Sequence, residues 1–141
     1  MPGEVRIGDE PVQNAGGALV TVALAAGTAI LGIAAAIGHS LIGERMIFGP
    51  LYAGNPGGIL KSRPTRAIIR AVFHMPSLVW AVLGITVLVA RLEGGNPLLS
   101  IVAATIFAAS GIGNLAALRR PHFGGLMMLA AAALTLADLM F

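Results

Sequence analysis

The sequence predicts an all-α fold, an integral-membrane four-helix bundle, on three observations. Four stretches carry no formally charged side chain, residues 11–43, 71–90, 94–118 and 121–137. Mean hydropathy is +0.88 and only 11% of residues are charged. The few charges also sort by sign between alternate connections, as topology in a bilayer requires. A hydrocarbon core about 30 Å thick takes roughly 20 residues of helix at about 1.5 Å each, and every run approaches that length. Long apolar runs without in-out alternation exclude a closed β-barrel, and an open sheet would leave its edges unpaired in lipid.

The first helix is placed at 16–43, after a short acidic N-terminal segment, 1–15, expected to be extracytoplasmic. That acidic lead and the length of the apolar run are unlike a cleaved signal peptide, so the helix is expected to remain in the mature protein. Residues 49–64, GPLYAGNPGGILKSRP, hold two internal prolines near four glycines and read as a loop against one face of the bundle. The second helix is placed at 65–91, with Pro76 inside it as a source of a kink. EGGNP at 93–97 and RRPH at 119–122 read as tight reversals leading to helices at 97–118 and 123–140. Residues 16–141 thus form one transmembrane domain, too short in its loops for a separate soluble catalytic unit.

Counting passes puts Arg45, Lys61, Arg63, Arg66, Arg70, Arg119 and Arg120 on one side against Glu44 alone. The other side holds Arg6 and Arg91 against Glu4, Asp9, Glu10, Glu93 and Asp138. The positive-inside rule then makes the basic loops cytoplasmic and both termini extracytoplasmic. A pI near 10.7 follows from that topology and from anionic headgroups as partners, and it gives no reason to expect nucleic acid. Tyr52 and Phe48 are expected to anchor the cytoplasmic loop at the interface, Trp80 to pack at mid-membrane, and Asp138 to sit among headgroups. The chain has no cysteine, which removes disulfides, thiolate catalysis and iron–sulfur ligation.

The same count brings His39, His74 and His122 to the basic half. Ala25, Ala29, Gly32 and Ala36 recur at alternating four and three, a close-packing seam that continues through His39 to Gly43. Arg66, Arg70 and His74 recur every four residues, with Ser77 one turn on, so a basic stripe enters the membrane on the face of the second histidine. A buried polar cluster of His39, Glu44, Arg70 and His74 is expected, with His39 and His74 approaching across the first and second helices and Glu44 facing Arg66 or Arg70.

Several functions fit such a cluster. It can clamp two helices of a non-enzymatic accessory or scaffold protein, a homo-oligomer or part of a larger membrane complex; no complete catalytic constellation accompanies it. Alternatively His39 and His74 can ligate haem b, with Arg66 and Arg70 toward the propionates. A copper or zinc site would draw on His39, Glu44, His74 and His122. A Glu-His-Arg relay would handle protons or small anions. The third helix offers Ala104, Ala108 and Gly111 on one face and Ala109 and Gly113 on another, enough for an internal and an external contact.

GHSLIGERMIFGPLY at 38–52, followed by RAVFHMPSLVWAVLG at 70–84, resembles an uncharacterised family of small four-helix bacterial inner-membrane proteins. In that pattern a histidine-serine pair ends the first helix before a Gly-Glu-Arg turn, and a histidine, serine and tryptophan occupy the second. The resemblance rests on His39, Ser40, Gly43, Glu44, Arg45, His74, Ser77 and Trp80, the patch that topology also selects. Phe73 departs from it, standing where the pattern has tryptophan. The resemblance implies a fold and a membrane, and no activity.

Overall fold

The computed structural model describes residues 10–54 and 57–141, with the side chains of 10–15 left aside. The described chain is helical and holds no strand. Helix α1 spans Glu10–Ile42, passes without a break into a π-helical turn, Gly43–Phe48, and then into a short helix α2, Gly49–Ala53. A 3₁₀ turn, Gly58–Lys61, leads to α3, Arg63–Leu92; α4 is Pro97–Leu118 and α5 is Phe123–Asp138. Most of the expected N-terminal segment lies outside the described residues. The first helix starts at Glu10 rather than 16 and does not stop at Gly43, and the segment after it is helical through Ala53 instead of looping from Gly49. The π turn lets the chain accommodate Pro50 near the start of α2, where a missing N–H costs little.

Each later helix begins on a side-chain cap. Ser62 Oγ accepts from the Thr65 N–H at 3.5 Å ahead of α3, and Asn96 Oδ1 from the Leu99 N–H at 3.1 Å ahead of α4, with Pro97 pre-set for the first helical position. Gly94 and Gly95 take φ of 106° and 87° to reverse the chain after α3. Glycine is what that turn requires.

α1 packs along both α3 and α5, and α4 along α5, while α3 and α4 touch only sparsely. Antiparallel neighbours therefore enclose one core, centred on Trp80, Val87, Phe107 and Met128 with Ala25, Ala103 and Ala131 between them. The small-residue seam of α1 lies inside: Ala25, Ala29 and Ala36 are buried, and a Cβ on Gly32 would stand 2.7 Å from the Trp80 carbonyl oxygen. Phe48 is also buried, against Phe73 at 5.0 Å, rather than anchoring the loop at an interface. Its π-turn backbone swings it back onto α3.

α1 with its extension, α3 and α4 are each long and apolar enough to cross a membrane. α5 is as apolar but has 16 residues, ~24 Å of helix. Large apolar side chains such as Ile30, Ile68, Leu78 and Leu98 point outward, the reverse of a water-soluble bundle. Inside, the Thr28 and Thr135 hydroxyls meet at 3.2 Å between α1 and α5; with Thr135 donating to the Ala131 carbonyl at 2.8 Å, Thr28 is the donor between them. At the end of the bundle away from the basic loops, Arg91 grips Asp138, with Nη2 donating at 2.6 Å and Nε at 3.1 Å to the same oxygen, Oδ2. Asp138 is 1% exposed, so its side chain is not among headgroups as expected. The long reach of Arg91 from the end of α3 supplies the charge that makes this burial tolerable.

Candidate functional site

Helical spacing assembles the site from both sides of the α1–α3 seam. Ser40 and Glu44 stand one turn apart where α1 enters the π turn; Arg70, His74 and Ser77 follow one another on α3. The seam closes tightly because Gly43 has no side chain where the Phe73 ring lies, and a Cβ there would overlap it. Glu44 accepts from Arg70 through Nε at 2.5 Å and also through Nη2, a two-point clasp. It meets His74 Nε2 at 2.7 Å as well. His74 Nδ1 lies 3.1 Å from Ser40 Oγ, Ser40 donates to Ser77 Oγ at 3.0 Å, and Ser77 Oγ lies 3.0 Å from His39 Nδ1.

The result is an unbroken hydrogen-bonded chain, Arg70–Glu44–His74–Ser40–Ser77–His39. Exposure is lowest within it: the side chains of Arg70, Glu44 and His74 are 54%, 31% and 28% exposed, Ser77 is buried, and His39 at the far end is half-buried. Elementary donor and acceptor chemistry orients it. An ionised Glu44 only accepts, so His74 Nε2 carries a proton. In the arrangement where Ser40 donates to Ser77, the donor left for Ser40 is His74 Nδ1–H, and His74 is there an imidazolium between Ser40 and Glu44. Turning both hydroxyls round gives the other arrangement, with a neutral His74 and the proton on His39 Nδ1. The two arrangements differ by one proton moved through two serines.

His39 is held firmly. Its ring stacks on Phe73 at 4.3 Å and takes the edge of Trp80 at 5.2 Å. Trp80 is positioned in turn by donating Nε1–H to Ser110 on α4 at 3.0 Å. Among the described residues Nε2 of His39 has no hydrogen-bond partner, and the ring lines a cavity of about 700 Å³ at the basic end of the bundle. The walls are mostly apolar, with Asn114, Arg120 and His122 the other polar lining residues.

Of the residues singled out in the sequence, His39, Glu44, Arg70 and His74 come together, but not as the buried cluster expected, since Arg70 is exposed and the other three are half-buried; Arg66 and His122 do not join them. Arg66 lies over the Tyr52 ring, 5.6 Å from its centre, and its carbonyl accepts from the Tyr52 hydroxyl at 3.5 Å. His122 caps α5, its Nδ1 accepting from the Gly124 N–H at 3.2 Å. Among the described residues no group of three or more His, Asp or Glu side chains is placed to hold a metal ion, so the set His39, Glu44, His74 and His122 is not assembled as a copper or zinc site. The residues do not suit a bis-histidine haem either. Both ring nitrogens of His74 are already engaged, and the two imidazoles are joined through serine hydroxyls rather than opposed across an open centre.

Sequence reasoning placed Ser77 on the right face but did not identify Ser40 and Ser77 as the bridge. The pairing of Arg91 with Asp138, and the cavity with Asn114 in its wall, had no local signal. Comparison with protein-family models, with curated proteins and with solved structures gives no match to this chain.

Proposed function

We propose that the chain is a multi-pass protein of a bacterial inner membrane, both termini extracytoplasmic, that relays protons between its cavity and the cytoplasmic boundary. The observation that carries this reading is the unbroken chain from Arg70 to His39. A proton arriving at His39 Nε2 releases the one on Nδ1 to Ser77; the Ser77 proton passes to Ser40 and the Ser40 proton to His74 Nδ1. His39 is left neutral and His74 becomes the imidazolium, with its charge balanced by Glu44. No heavy atom moves beyond hydroxyl rotation, and the buried hydroxyls each keep a donor and an acceptor throughout. Arg70 holds Glu44 ionised and in place, and is thereby a positioning residue. No covalent chemistry is assigned to the protein.

The test is ¹⁵N histidine NMR of the protein in lipid nanodiscs. In a relay, H39Q changes the protonation and tautomer populations of His74 while leaving His122, outside the chain, as it was. If the His74 signals and their titration are the same in H39Q as in the parent protein, the relay reading is wrong.

A specific observation also favours an accessory or scaffold role. Ala109 and Gly113 of α4 face outward while Ala104 and Gly111 are buried, leaving a small-residue face free for another helix. Extraction in mild detergent that yields only a monodisperse monomer, with no copurifying protein, would remove that second reading.

A further inference from the structure

Among the described residues the cavity beside His39 is furnished with donors and no acids. Arg120 makes no ion pair among the described residues, and Asn114 has no side-chain hydrogen bond there. Because Nδ1 of His122 accepts from the Gly124 N–H, the neutral ring keeps its proton on Nε2, a further donor. Phe123 and Gly124, the first residues of the 16-residue α5, also line the cavity, so the positive end of that helix adds to the same field. Among the described residues no Asp or Glu lines the space to answer these groups. The remaining wall is hydrocarbon and aromatic, from Ala34, Phe73, Trp80 and Met127. A volume of about 700 Å³ is that of a small-molecule site.

We infer that this cavity binds an amphipathic organic carboxylic acid, its head toward Arg120, His122 and Asn114 and its apolar body against Phe73, Trp80 and Met127. The choice of a carboxylic acid over a phosphodiester headgroup rests on the relay reading, since a carboxyl group, with an ordinary pKa of about 4, can carry a proton and hand it to the more basic imidazole, whereas a phosphodiester stays ionised. The neutral acid gives its O–H proton to His39 Nε2 and becomes the carboxylate; the Nδ1 proton leaves through Ser77 and Ser40, and His74 gains it. Arg120 then faces a full negative charge, which its planar guanidinium can meet through two parallel N–H···O bonds.

Trp80 is the single tryptophan of the chain and lines the cavity, so its fluorescence reports occupancy directly. The probe is 11-bromoundecanoate, titrated into protein in nanodiscs, with its methyl ester and a bromine-labelled phosphatidylglycerol as parallel arms. Saturable quenching is expected for the carboxylate, with at least ~10-fold weaker binding in R120A and in N114L, consistent with loss of a hydrogen bond to a charged group. Arg120 is exposed, so R120A is expected to fold, and unchanged emission of the unliganded variant checks this. Equal quenching by the ester, or full affinity retained in both variants, overturns the inference; saturable quenching by the phospholipid alone assigns the site to a lipid headgroup and overturns it too. S77A separates the two proposals. Its carboxylate affinity is expected to stay within ~3-fold of the parent while His39 and His74 lose their coupling. Coupling absent in the parent with binding intact would reject the relay and leave the binding site standing.

Discussion

Replacing Ser77 with alanine deletes one hydroxyl and with it two hydrogen bonds of 3.0 Å, to His39 Nδ1 and from Ser40 Oγ. Net contributions of about 0.5–1.5 kcal/mol per neutral hydrogen bond put the loss between ~1 and ~3 kcal/mol. Two features pull it toward the lower part of that range. Interhelical hydrogen bonds in membrane proteins average about 0.6 kcal/mol, because the separated helices find other partners. His39 also borders the cavity, where water can reach its ring. Ser77 itself is buried, however, so the void is not filled from outside. A destabilisation of ~1–2 kcal/mol is therefore expected, measured by steric trapping in bicelles or by reversible denaturation in SDS with Trp80 emission as the probe. T86V is the reference. The Thr86 hydroxyl bonds only the Val82 carbonyl of its own helix on an exposed face, and its loss should stay within ~0.5 kcal/mol. If S77A is as stable as T86V and the His39–His74 coupling survives, the serine bridge is not the connection described above.

D138L removes the partner of Arg91 at a site that is 1% exposed and is expected to cost ~3–5 kcal/mol, whereas the double variant D138L/R91M recovers most of it; a fully additive cycle would show that the pair is not coupled. G32A drives a methyl toward the Trp80 carbonyl, 2.7 Å from an ideal Cβ, and should destabilise by ~1–3 kcal/mol with shifted Trp80 emission, while G38A, with nothing within 4 Å, should do neither. The chain has no cysteine, so single replacements report topology cleanly. In intact cells of a Gram-negative host with a permeabilised outer membrane, E93C should react with an impermeant maleimide and S62C should not; the reverse pattern would invert the proposed orientation.

The sequence by itself determined the fold class, the four long helices and the convergence of polar residues at one end. These depend on quantities that add locally along the chain: an uncharged run sets length against bilayer thickness, and proline, glycine and cap residues mark the ends. The start of α4 at Pro97 and its end at Leu118 match the expected bounds for that reason, with Asn96 and Pro97 setting one end and the left-handed Arg119 the other. Four-residue spacing likewise put Arg70 and His74 on one face, and Glu44 and Arg70 do meet.

Tertiary structure decided what those residues do to one another. Whether Glu44 takes Arg70 or Arg66 depends on the rotation of α3 about its axis and its offset along α1, both set by Gly32 and Gly43 seated against Trp80 and Phe73. That offset puts Ser40 between His74 and Ser77, so the imidazoles communicate through hydroxyls instead of flanking a cofactor. It also leaves Arg66 to Tyr52 and aims His122 at its own helix. Asp138 shows the same dependence: hydropathy places it near a helix end, and only Arg91, arriving from the end of α3, makes its burial physically tolerable. Composition and period describe one helix at a time. A hydrogen-bonded chain across two helices, and a cavity among four, are properties of their mutual register.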